Sequence, residues 1–96
     1  MLPNADHLSD LSLEDRDLLL KYIKENFKMV KSVNKKRTAY GLKARFNRLT
    51  GADKKHHITS QCFMEAMVES GYKAASVPDL SEPDWYFNIG KTHFTD

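Results

Sequence analysis

Trp85-Tyr86-Phe87-Asn88-Ile89 decides what kind of molecule this is. These five residues, rich in strand formers and near the end of a chain that otherwise shows helical patterning, are too apolar to stand unpaired in water. They need a partner strand, and residues 72–77 supply a candidate. Between the two lie residues 78–84, turn-rich and holding two prolines, so the pair reads as a hairpin with a tip of roughly eight residues. Trp85 and Phe87 then share one face and are expected to plug the core. Tyr86 takes the other.

Upstream of the hairpin the apolar period is helical. Ser12, with Glu14, Asp15 and Asp17 behind it, opens a first helix over residues 13–27, and Leu19, Ile23 and Phe27 form its stripe. Thr38 is positioned to cap a second helix to Leu49, with Ala39, Leu42, Phe46 and Leu49 as its apolar face and Gly51 past its end. Tyr40, Asn47 and Arg48 point away from that face, and Lys43 and Arg45 flank it. Thr59 or Ser60 caps a third helix that ends before Gly71. Phe63, Ala66 and Met67 face inward, with Gln61, Glu65, Val68 and Glu69 opposite. Residues 28–37 show no helical stripe and read as a basic connector, with room for a short strand over residues 29–33.

The predicted order is helix, connector, helix, turn, helix, strand, loop, strand. It gives a mainly α fold with a small β-hairpin, a winged helix-turn-helix-like arrangement of three helices plus wing. A plain three-helix bundle is the alternative, and the 85–89 segment argues against it. At 96 residues there is room for one domain. Its body is expected over residues 11–91, after a loose lead-in (residues 1–10) and before a short tail (residues 92–96).

Composition narrows the class. The chain is 41% hydrophobic and 29% charged, as in ordinary globular proteins. It has no apolar run near the roughly 20 residues of a membrane span, and no secretory leader is expected from its opening residues. Cys62 is the single cysteine, which excludes an internal disulfide and suits a reducing, cytoplasmic setting. The net charge of +2 conceals a sharp segregation. Residues 1–27 are net −3 and residues 58–96 net −4, whereas residues 28–57 carry ten cations against Asp53 alone, net +9. A concentrated positive field attracts polyanions.

Thr38-Ala39-Tyr40-Gly41-Leu42-Lys43, then Phe63, Ala66-Met67, Gly71-Tyr72 and the 85–89 segment resemble small winged-helix-type proteins encoded by Gram-positive (Firmicutes) phages and integrative mobile elements. The resemblance spans residues 20–90 and rests mainly on helix-face and cap positions. It implies a mobile-element origin and nucleic-acid binding. The sequence departs from that family beside the third-helix phenylalanine, where Met64 and Glu65 stand in place of a lysine.

The candidate binding residues are Lys31, Lys35, Lys36, Arg37, Tyr40, Lys43, Arg45, Asn47, Arg48, Lys54, Lys55 and Gln61. The cations would neutralise phosphates, Tyr40 would stack, and Asn47 and Gln61 carry amides able to position or read a base. Glu65 and Glu69 oppose base reading by the third helix, and outward Met64 and Val68 suit a protein contact instead. His56, His57 and Cys62 lack the paired spacing of a zinc site, and the four scattered glycines build no phosphate loop. No cofactor and no catalytic residue is expected. Two functions compete. One is a DNA-binding regulator or replication accessory that engages duplex backbone. The other is a protein-binding inhibitor or adaptor, such as a counter-defence (anti-CRISPR-like) protein acting on a host nucleic-acid enzyme.

Overall fold

Helix initiation follows the side-chain chemistry of the caps. In a computed structural model, which describes residues 6–49 and 58–90, the Ser12 hydroxyl accepts the Asp15 amide at 3.1 Å and opens α1 (Leu13–Asn26). Leu19 and Ile23 of α1, and Phe27 just beyond it, are buried as their spacing predicts. Each buried side chain of this size contributes about 1.5–3 kcal/mol. Thr59 caps α3 (Ser60–Glu69) by accepting the Cys62 amide at 3.1 Å. Gly71 ends that helix at φ 96°, a left-handed conformation that strains residues carrying a Cβ. There the Tyr72 amide reaches back to the Met67 carbonyl and the Gly71 amide to that of Val68, a Schellman closure.

Residues 28–37 are the first correction. Met29–Thr38 forms a ten-residue strand, β1, that runs directly into α2 (Ala39–Leu49). After α3 come β2 (Ala74–Ser76) and β3 (Trp85–Ile89), the predicted hairpin, with Ala74 opposite Phe87 and Ser76 opposite Trp85. The sheet is antiparallel in the order β1-β3-β2, so β3 is central and β1 lies at an edge. Among the described residues the architecture is therefore three α-helices with a three-stranded antiparallel sheet.

β1 is too long for its partner. Met29 pairs with Ile89, Asn34 with Phe87 and Thr38 with Tyr86. Five steps along β1 thus match two along β3, and the next four match one. The surplus residues bulge from the ladder. Asn34 organises this detour with its side chain: Oδ1 accepts the Lys36 backbone amide at 2.9 Å, and Nδ2 donates to the Gly90 carbonyl at 3.4 Å. Asn88 fills the gap on β3. Its amide donates to the Val30 carbonyl at 3.0 Å and its oxygen accepts the Lys73 amide at 2.7 Å, which satisfies a polar side chain that is otherwise buried.

The core gathers where α1, α2, α3 and β3 converge. Edge-on aromatic contacts run through it, Tyr22 to Phe46 at 5.0 Å and Phe27 to Phe63 at 6.3 Å, and a tilted pair joins Phe63 to Phe87. Trp85 is half-buried against this cluster and Phe87 is fully inside. Two expectations about apolar positions fail. Leu49, placed on the α2 stripe, is 60% exposed because the helix end carries it past the core. The lead-in is not loose over residues 6–10: Leu8–Asp10 forms a 3-10 turn against α3, and Leu8 enters the core at 7% exposure.

Candidate nucleic-acid interface

The cationic segment is carried by one continuous strand–helix unit. Residues 29–49 contain seven basic side chains and no acid. On β1, Lys31, Lys35 and Lys36 are exposed and Arg37 is half-buried. Lys35 and Lys36 lie in the second stretch where the register with β3 shifts, and Lys31 in the first. Among the described residues, the ion pairs His7–Glu65 and Arg16–Glu69 involve none of these lysines. On α2, Tyr40 is exposed and the Lys43 ammonium sits 4.6 Å from its ring centroid, a cation–π contact. Arg48 is exposed and Arg45 half-buried. Lys31, Lys35, Lys36, Arg37, Tyr40, Lys43, Arg45 and Arg48 thus lie on two consecutive elements, β1 and α2, that contact each other. Lys54 and Lys55 lie outside the described residues.

Asn47 does not belong to it. Expected to project outward, it is 6% exposed, with its amide donating to the Ile58 carbonyl and its oxygen accepting the Ile58 amide, both at 3.1 Å. It acts as a substitute peptide group that fixes where the chain returns to enter α3. The signal missing from the sequence is the partner, eleven residues away and visible only once the helices pack.

Gln61 is also committed elsewhere. Its amide donates to Glu65 Oε2 at 2.8 Å. The same carboxylate binds His7 Nδ1 at 2.8 Å and accepts the Leu8 amide at 2.8 Å. The N-terminal outer face of α3 is therefore covered by residues 6–10. Burial alone would raise the Glu65 carboxyl, but hydrogen bonds from Gln61, His7 and the Leu8 amide outweigh it and hold the group below its ordinary value. His7 is correspondingly raised, chiefly by its hydrogen bond to Glu65 and then by that carboxylate's charge.

Asp84 is a residue that sequence patterning did not single out. Its Oδ1 accepts the Tyr40 amide at 3.1 Å and the Trp85 amide at 2.8 Å, tying the base of the hairpin to the first turn of α2. A carboxylate thus occupies a helix N-terminus that would otherwise attract phosphate. The loop between β2 and β3, residues 77–84, holds Asp79, Glu82 and Asp84, no cation, and an exposed Leu80. Farther along α3, Val68 is 49% exposed beside half-buried Met64, and both line a shallow groove with Leu8, Arg16 and Glu69.

Cys62 is buried and burial pushes its thiol up to about 12, so it stays protonated and unreactive in place. Among the described residues no three His, Cys, Asp or Glu side chains are grouped to hold a metal, and no helix is long and apolar enough to cross a membrane. His56 and His57 lie outside the described residues. The chain matches no protein-family model, and comparison with curated proteins and with solved structures finds no match.

Proposed function

We propose that this chain is a winged-helix-type, non-catalytic module that binds duplex nucleic acid through its backbone, using β1 and α2 and without base reading by α3. The observation that carries this reading is the set of exposed lysines, Lys31, Lys35 and Lys36, on a bulged edge strand that feeds directly into Tyr40 and Lys43. The order α1-β1-α2-α3-β2-β3 with a β1-β3-β2 sheet is that expected of a winged helix, with residues 77–84 as the wing tip. Phosphates meeting these lysines would release counterions, at a slope of about −0.9 in log affinity per log salt for each phosphate. Tyr40 adds a hydroxyl for a phosphate oxygen or a ring for an unpaired base. The acidic tip and the committed Gln61 oppose the usual entry of a recognition helix, so affinity should depend weakly on sequence. A cytoplasmic regulator or replication accessory of a phage or mobile element is the setting that the sequence resemblance suggests.

Fluorescence polarisation on a random 25-mer duplex across a salt series tests this. With Lys31, Lys35, Lys36 and Lys43 each on a phosphate, the slope should be about −3.6. The Lys35→Glu, Lys36→Glu double variant should lose about two of those contacts and bind far more weakly, with unchanged melting. Absence of binding at low salt, or a salt-independent affinity, defeats the proposal.

A second reading has its own support. Exposed Val68, half-buried Met64, Leu80 at the tip and the acids around them suit a protein partner, as an inhibitor of a host nucleic-acid enzyme would require. A host protein retained on the immobilised chain after nuclease treatment, and lost on Val68→Asp, would favour it.

A further inference from the structure

We propose that residues 6–10 form a detachable strap, latched by Glu65 over the N-terminal face of α3, that opens while the rest of the fold stays intact and so governs access to Gln61, Glu65 and Cys62. The inference goes beyond duplex binding and does not depend on it. The strap is held at three kinds of contact. Leu8 is its apolar anchor. Glu65 is the latch, engaging His7 Nδ1 and the Leu8 amide through separate oxygens. Thr59, the α3 cap, donates its hydroxyl to the Asp6 carbonyl at 3.3 Å while accepting the Cys62 amide. Within the strap, the Asp10 carboxylate accepts the Asp6 and His7 amides at 3.2 and 3.0 Å, so it travels as one preformed turn.

Two features make this turn separable. It joins α1 through Leu11 and Ser12, both extended, and its contacts in the described structure are made mainly with α3, far along the chain. One apolar side chain and a few partly exposed polar bonds are a small fraction of the packing that holds the helices, which is the pattern of a unit that opens below the global unfolding free energy. Thr59 is hydrogen-bonded both to Asp6 of the strap and to the backbone of buried Cys62, so the thiol-bearing residue sits at the strap's attachment point on α3. Opening should expose it.

The latch is sensitive to pH. The groups facing His7 are Glu65 from α3 and Asp6 and Asp10 from the strap itself, all acidic; Arg16 of α1, which lines the adjoining groove, is paired with Glu69 at 3.2 Å. Because the folded-state value of His7 is raised above 6.5, its contribution is complete below that pH and fades as pH rises through the raised value. Glu65 is lowered below 4.5, so its contribution is complete above that value and fades as pH falls through the lowered one. Closure is therefore firmest between these two ordinary values.

The test uses the full chain and its own reporters. Amide exchange at Leu8, whose N–H is bonded to the latch, is measured with alkylation of the single cysteine by iodoacetamide. Both are normalised to the urea-unfolded chain at the same pH. The expected result is Leu8 protection well below that of Ile23, falling about two- to fivefold from pH 5.5 to pH 8, the range for an exposed ion pair. Cys62 alkylation should accelerate in parallel. Glu65→Gln, which keeps an acceptor for the Leu8 amide, should abolish this pH dependence, and His7→Gln should do the same without touching α3. Leu8 and Ile23 amides that exchange together, with cysteine labelling set by global unfolding and indifferent to both substitutions, would make the segment permanent core and overturn the proposal.

Discussion

Replacing Asn47 by alanine tests the largest reassignment that the structure makes. In the fold its side chain closes two hydrogen bonds to Ile58, each 3.1 Å long, in a place where Ile58 itself is 1% exposed. The substitution leaves a buried N–H and a buried C=O without that partner, at roughly 1–3 kcal/mol apiece. Water entering the vacated space recovers some of this, so the expected loss is about 2–4 kcal/mol. A domain of this length has only about 5–15 kcal/mol in total. At about 4–8 °C per kcal/mol, the melting temperature should fall by about 10–30 °C. Urea titration should show a lower midpoint at unchanged slope. Asn47→Asp sharpens the test. One oxygen still accepts the Ile58 amide, but at neutral pH the other faces a carbonyl with no proton to give. Buried there, the carboxyl should have a folded-state value above its unfolded value near 3.9, so its stability is regained as pH falls and lost as pH rises. The aspartate variant should therefore lie closer to wild type at pH 4 than at pH 7. A surface asparagine would cost under about 0.5 kcal/mol. A shift below about 4 °C for the alanine variant, or an aspartate variant with no pH trend, would refute the assignment.

Further expectations concern the core. Phe46→Ala should cost about 3–5 kcal/mol, whereas Leu49→Ala, three residues on, should change stability by under about 0.5 kcal/mol; equal costs in a thermal melt would mean the helix is rotated from the face described. Tyr72 is buried and its hydroxyl donates to the Phe27 carbonyl, so Tyr72→Phe should lose about 1–2 kcal/mol with no change in duplex affinity. Burial raises the Tyr72 phenol above 10, so its contribution is complete below that pH and fades above it; the alkaline fall in stability should be smaller in Tyr72→Phe, as urea midpoints at pH 8 and pH 11 would show.

What was legible beforehand is what neighbours in sequence determine. Ser12, Thr59 and Gly71 act within a few residues of themselves, and the stripes Leu19–Ile23–Phe27 and Phe63–Ala66–Met67 repeat at the helical period, so local sequence suffices to place them. β1 was hidden because its lysines do not alternate with apolar residues: its regularity comes from β3, some fifty residues later, and its bulges destroy the period of two. Leu8 lies outside any helical stripe, and the partner of its amide, Glu65, is 57 residues away. Of the candidate site, the exposed β1 lysines and the outward Tyr40 and Arg48 were readable from charge and helical phase, whereas Asn47 and Gln61 were not. An amide looks the same in sequence whether it meets solvent or a buried partner.

The bulged lysine strand has one more consequence, for anyone engineering the protein. An open β edge is an invitation to intermolecular strand addition, and here the interrupted ladder and the lysine ammonium groups together deny a flat template to a neighbouring molecule. Trimming those lysines to alanine would remove the gatekeepers and invite fibrous aggregates, whose turbidity would masquerade as lost binding. Swapping their sign keeps the edge guarded.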